Sequence, residues 1–173
     1  MTRTPSHEVL IREAQPGEAV DIHALIEARG LEGHLLARDL PEVTLHATRF
    51  LVATADDRIV ACGELAPLSP SLAEIRSLVV AARYQGLGIG RRLTSELRRK
   101  ARLDGFSRIC AFAHQPAYFA RMGFSIVPHG WLPEKIGLDC VTCPLFRHCG
   151  QVAMLDDLQP IGKSHARGAL AHA

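Results

Sequence analysis

Residues Arg83 to Leu93 read RYQGLGIGRRL, with three glycines at alternate positions just before a long helical pattern. Glycine lacks a Cβ, so the backbone there can turn sharply and approach a ligand closely. The first N–H groups of the following helix have no intrahelical partners, and the macrodipole makes that end positive. A glycine-rich turn that runs into a helix is therefore a ready phosphate site, and Arg91 and Arg92 add fixed positive charge to it. The competing reading of the glycines alone is a flexible surface turn at a helix start.

The 173 residues, 47% of them hydrophobic, suffice for one domain with a core. A formal net charge of +2 gives no electrostatic footprint for nucleic acid. The arginine-rich run RRLTSELRRKARLDG from Arg91 has no interleaved aromatic residues and reads as a solvated helix face. No apolar run is long enough to span a membrane, and the start MTRTPSHEVLIREA has no apolar signal core. The chain is accordingly read as cytoplasmic, with its five cysteines reduced.

Along the chain, Val9–Arg12 reads as a strand. Val20, Ala24, Leu25 and Ala28 recur at helical spacing up to Gly30, and a weaker helical segment covers Pro41–Ala47. Phe50–Thr54 and Ile59–Leu65 form an expected hairpin around Ala55–Arg58, and Leu72–Val80 is the third strand of that meander. A helix from about Gly88 to Asp104 follows the glycine loop. Then come a strand at Ile109–Ala113, a short helix at Pro116–Met122, a strand entered through Gly123–Val127, and a last strand at Val152–Leu155. The small, polar tail 159–173 is expected to be disordered. The pattern is α/β: an antiparallel region feeding a βαβ unit, with helices on both faces of a mixed sheet.

These residues resemble a family. Gln85-Gly86-Leu87-Gly88-Ile89-Gly90 fits the acyl-CoA loop Q/R-x-x-G-x-G/A of the GNAT acetyltransferases, and Phe119-Ala120-Arg121-Met122-Gly123-Phe124 resembles their late GF corner. The resemblance covers about Val9 to Leu155, within a domain placed at residues 1–158. It implies a mostly antiparallel sheet with a V-shaped splay between two parallel strands, and acetyl-CoA as cosubstrate in the splay. Backbone groups of Gly86 to Arg91, with Gln85, would hold the pyrophosphate. Those of Leu78, Val79 and Val80 would hold the pantetheine arm and polarise the thioester. Homodimer formation through sheets is also implied.

Glu74-Ile75-Arg76-Ser77-Leu78 bears on the acceptor. Strand alternation puts Glu74, Arg76 and Leu78 on one face. A Glu and an Arg there either pair with each other or serve chemistry, Arg76 as a carboxylate clamp and Glu74 as general base. The segment resembles the short, stand-alone N-acetylglutamate synthases, as do Leu132-Pro133-Glu134-Lys135 and the ending from Asp139 to Cys149. The resemblance implies an amino-acid substrate, glutamate, with Arg38, Arg76 and Lys135 as its cationic contacts. The alternatives are another small amine, a peptide N-terminus, or a non-catalytic acyl-CoA-binding module.

The general acid departs from the family pattern. The usual tyrosine position is Phe119 here, so Tyr118 and His114 are the candidates. Cys140, Cys143 and Cys149 raise a zinc knuckle, but no second CxxC completes it, and reduced thiols are the preferred reading over a metal. His23 and His46 read as helix-surface residues, His129 as a neighbour of the acceptor pocket, and Trp131 as core packing.

Overall fold

The computed structural model describes residues 8–30 and 37–158. Leu35 and Leu36, which precede Arg38 in the sequence, and the tail 159–173, expected to be disordered, lie outside the described residues. The strands are β1 (Leu10–Glu13), β2 (Phe50–Ala55), β3 (Arg58–Pro67), β4 (Leu72–Val80), β5 (Arg108–Ala113), β6 (Ser125–Ile126) and β7 (Val152–Asp157). The helices are α1 (Ala19–Gly30), α2 (Leu40–Leu45), α3 (Ile89–Leu103), α4 (Pro116–Arg121) and α5 (Pro133–Leu138). The strands form one sheet in the order β1-β2-β3-β4-β5-β7-β6. Every neighbouring pair is antiparallel except β4 and β5. The fold is thus the mixed α/β sheet expected, with a single parallel pair at its centre.

That parallel ladder is short. It runs from Leu72↔Arg108 to Ile75↔Ala111 and stops. Among the described residues the remaining length of β4 has no strand partner on that side, and it borders a cavity. The cause is local. Ser77 has φ +48°, a left-handed conformation that L-residues rarely adopt, and the β3–β4 register slips between Cys62 and Glu64. Alternation therefore changes phase at Ser77. Ala73 and Ile75 face α3, and so do Leu78 and Val80, while Val79 faces α1. Simple alternation had put Leu78 beside Glu74 and Arg76; the bulge moves it to the opposite face.

The sheet carries three apolar clusters. On one face α3 presents Ile89, Leu93, Leu97 and Ala101, spaced one turn apart, and packs on Ala53, Leu65, Ile75 and Ala111. Phe119 and Phe124 from the α4 corner extend this core. On the other face α1 and α2 cover Phe50, Val52, Cys62 and Val79. Leu132 and Val127 cover Leu72, Cys110 and Ala153 further along. The gap between these last two clusters is where the polar side chains of β3 and β4 gather.

Several local expectations change. The buried stripe of α1 is Ala19, Ile22 and Ile26, and Val20 is exposed, because apolar residues stand on more than one side of this helix. The helix α5 was not expected, although Pro133 sits at its start as a proline should. Trp131 is exposed rather than packed in the core. His23 is half-buried, its Nε2 2.8 Å from the Arg38 carbonyl.

Gly63 lies in the bulge, where a built Cβ would stand 2.9 Å from Leu97 Cδ1 and 3.1 Å from Leu78 Cδ1. A Gly63→Val variant should therefore lose roughly 1–3 kcal/mol of stability through overpacking, read as a lowered midpoint in urea with an unchanged m-value.

Candidate active site

The slot left by the β4–β5 divergence is part of a cavity of about 790 Å³, within the range of small-molecule sites. One end is the glycine loop. Gly86 and Gly88 have φ +76° and +77°, conformations that favour glycine, and Gly88 caps α3 in the left-handed region. The turn aims the first N–H groups of α3 at the cavity, which Gly86, Gly88, Ile89, Gly90 and Arg91 line. Gln85 ties the loop to the sheet, donating from Nε2 to the Val80 carbonyl at 3.1 Å. Of the residues expected here, exposed Leu87 stays outside the wall, and the Val79 side chain is buried under α1.

The middle of the slot is walled by Leu78 and Val80 from β4, Phe112 and Ala113 from β5, and Tyr118. Tyr118 points toward α3, with its hydroxyl 2.8 Å from Thr94 Oγ1. Burial raises its pKa above the ordinary tyrosine value, only partly offset by the Thr94 contact, so the phenol keeps its proton. Phe119, one step around the helix, belongs to the core. His114 also lines the cavity, at the end of β5.

The far end is densely charged. Glu74 is buried and held by two cations. Arg76 Nε donates to its Oε2 at 2.6 Å, and Lys135 Nζ lies 2.9 Å from each of its oxygens. Arg76 also donates through Nη2 to Asp139, and Lys135 donates to the same Asp139 oxygen at 2.9 Å. Thus α5 supplies Lys135, and the residue after it supplies Asp139, both on β4's polar pair. Arg38 comes from the opposite side. It grips Glu42 through Nε and Nη2 at 3.0 and 2.8 Å, and reaches the sheet at Ser77 Oγ (2.9 Å) and Glu64 Oε2 (3.0 Å). Burial opposes the charge of both guanidinium groups, but the neighbouring carboxylates outweigh it and their pKa values rise above the usual arginine range.

Glu64 is a residue that sequence reasoning missed. It is 1% exposed, and the only hint was a Glu inside the run IVACGEL. His46, read as a surface residue, stands 3.9 Å from it. His129 does line the cavity, with its ring edge-on to Phe112 and Nε2 2.9 Å from the Gln151 carbonyl.

Cys140, Cys143 and Cys149 line the mouth of the same cavity. Burial raises the Cys140 pKa, with Lys135 opposing. Among the described residues no three His, Cys, Asp or Glu side chains form a group able to hold a metal ion. Cys62, deep in the sheet, has a thiol pushed up to about 12 by burial. Among the described residues no helix is long and apolar enough to cross a membrane.

The chain is similar to proteins that act on acyl groups. An uncharacterised N-acetyltransferase of Chlorobaculum tepidum is 29% identical over 89% of this chain and 99% of its own length. An amino-acid acetyltransferase of Neisseria meningitidis is 32% identical over 73% of this chain, a match that spans 29% of that longer protein. The structure of N-acetylglutamate synthase from Neisseria gonorrhoeae, complexed with coenzyme A and N-acetyl-glutamate, superposes with a TM-score of 0.79 at 28% identity. That match covers 87% of this chain and 35% of the synthase, so the chain spans about a third of the Neisseria proteins. Residues 20–124, from α1 through the parallel pair and glycine loop to the Gly123–Phe124 corner, match the Acetyltransferase (GNAT) family, and the chain belongs to it.

Proposed function

We propose that the protein transfers the acetyl group of acetyl-CoA to the α-amine of an amino acid, and that L-glutamate is the acceptor. The observation that carries this is the meeting of Arg38, Arg76 and Lys135 at the end of the cavity opposite the glycine loop. A dicarboxylic amino acid needs at least two cationic contacts, and arginine's planar fork fits a carboxylate. The similarity to the gonococcal synthase, solved with coenzyme A and N-acetyl-glutamate, supports the same reading.

In this reading the N–H groups from Gly86 to Arg91 hold the pyrophosphate, and the pantetheine arm runs between Leu78–Val80 and Phe112–Ala113 toward the charged end. Main-chain N–H groups of the unpaired β4 edge polarise the thioester carbonyl. The acceptor's carboxylates meet side chains that already carry partners. Two of those partners are movable, since the Glu42 and Asp139 side chains are 41% and 37% exposed, while Glu64 and Glu74 are buried. An incoming carboxylate therefore takes the place of Asp139 on Arg76 and of Glu42 on Arg38. Drawing Arg76 toward the substrate leaves Glu74 with Lys135 as its one cationic partner among the described residues, and Oε2, relieved of the guanidinium, accepts the ammonium proton directly or through a water. The neutral amine attacks the thioester carbon, the C–N bond forms, and the tetrahedral oxyanion collapses with loss of the C–S bond. Tyr118, protonated and beside the slot, gives its proton to the departing thiolate, and the proton shed by the nitrogen as the amide forms returns through water to the phenolate.

Thiol release from acetyl-CoA, measured across free amino acids and polyamines, tests the acceptor. L-glutamate should give the highest kcat/KM, and Arg76→Gln should raise its KM by about 10–100-fold, the range for a charged hydrogen bond. Preference for a polyamine would instead match the acidic rim of Glu42 and Asp139 and overturn the glutamate reading. Glu74→Gln should lower kcat by about 10²–10⁴-fold while the protein still binds acetyl-CoA in a calorimetric titration. Tyr118→Phe should also lower kcat while leaving the KM for glutamate unchanged; full activity would remove the phenol from the mechanism.

A further inference from the structure

Glu64 has no part in the steps above, yet it lies buried beside them. Its Oε1 has no hydrogen-bond partner among the described residues. A buried carboxylate is costly unless cations surround it, so its position has to be accounted for. Basic side chains converge on it from both ends of α2. Arg38, before the helix, lies 3.0 Å from Oε2, and His46 and Arg49, after it, each lie 3.9 Å from Oε1. Glu64 also pairs directly across the sheet with Arg76, whose charge it favours.

We propose that Glu64 is a positioning residue for the acceptor site, setting the place of Arg38 relative to Arg76. This rests on the reading of the acceptor as a dicarboxylic amino acid. Glu42 belongs to α2, one turn along from Arg38, so that pair moves with the helix. Glu64 and Ser77 belong to the sheet, and their side-chain contacts fix Arg38 against the strands that carry Arg76 and Glu74. Ser77 contributes a neutral hydroxyl; Glu64 contributes the charge. With Glu64 in place, Arg38 keeps to the floor of the cavity when Glu42 swings away, and an Nη1 hydrogen remains for the acceptor's distal carboxylate. Glu64 thus governs the fit of a two-carboxylate acceptor and leaves the thioester end untouched.

A double-mutant cycle on Glu64 and Arg38 tests this, with steady-state constants for L-glutamate and for acetyl-CoA and a thermal midpoint for each protein. Glu64→Gln should raise the KM for glutamate by about tenfold, with kcat and the KM for acetyl-CoA within about twofold of wild type. Arg38→Gln should do the same, and the double variant should be no worse than Arg38→Gln alone. Multiplying effects, an unmoved glutamate KM, or a parallel rise in the acetyl-CoA KM would overturn the proposal. If Glu64→Gln does not fold, Glu64→Asp keeps the charge and withdraws it from Arg38, and the same split between the two KM values is expected. Wild-type protein that turns over glutamate while Glu64→Gln keeps its KM defeats the positioning role only; wild-type protein inactive on glutamate defeats the acceptor reading and this proposal with it.

Discussion

At Ser77 the backbone of β4 enters the left-handed region, two residues after its ladder with β5 ends. A non-glycine residue held there costs on the order of 1–3 kcal/mol, and the surroundings offset it. Cys62 Sγ approaches the Ser77 carbonyl at 3.6 Å, Arg38 grips its hydroxyl, and Gly63 leaves room on the neighbouring strand for Leu97 and Leu78. Because of this one residue, β4 presents Glu74 and Arg76 to one side of the sheet and Leu78 and Val80 to the other. A regular strand would place all four on the same side. The slot, the apolar wall along it and the charged end beyond it all follow from that phase change.

The opposite face of the sheet reinforces the arrangement. A single continuous core under α3 gives the strands a rigid backing, whereas the other face is split between the cluster under α1–α2 and the smaller one under Leu132. Water-excluding contacts border the charged residues on two sides without covering them. Charges in such a gap are only partly desolvated, so ion pairs there are stronger than surface pairs and still able to exchange.

The glycine loop and the GF corner were legible in the sequence because glycine at positive φ and a fixed spacing leave a mark that no packing context erases. Glu74 and Arg76 were legible for the same kind of reason: charges in a strand interior conflict with burial. Ser77 was not, since serine carries no signal for a left-handed bulge, and the misassigned side of Leu78 follows from that. Tyr118 was legible by type, as the residue beside Phe119 with a proton to give, but that its hydroxyl meets Thr94 while Phe119 enters the core depends on how α4 is turned. Glu64 was hidden by its neighbours: in a run of apolar residues a single carboxylate shows its partners only when Arg38, His46 and Arg49 are brought in from 15 to 26 positions away along the chain.

The carboxylates Glu42 and Asp139 give the charged end one more property. Its arginines and its lysine are already paired, so under the proposed function an entering substrate anion would swap places with a resident anion and the number of ion pairs would be conserved. In that reading the site works as an ion exchanger. Screening by salt weakens the old pairs and the new ones alike, and affinity depends weakly on ionic strength compared with a bare basic pocket of the same charge. Discrimination among anions falls to shape, because every competitor must surpass the same two internal carboxylates at the geometry they already satisfy.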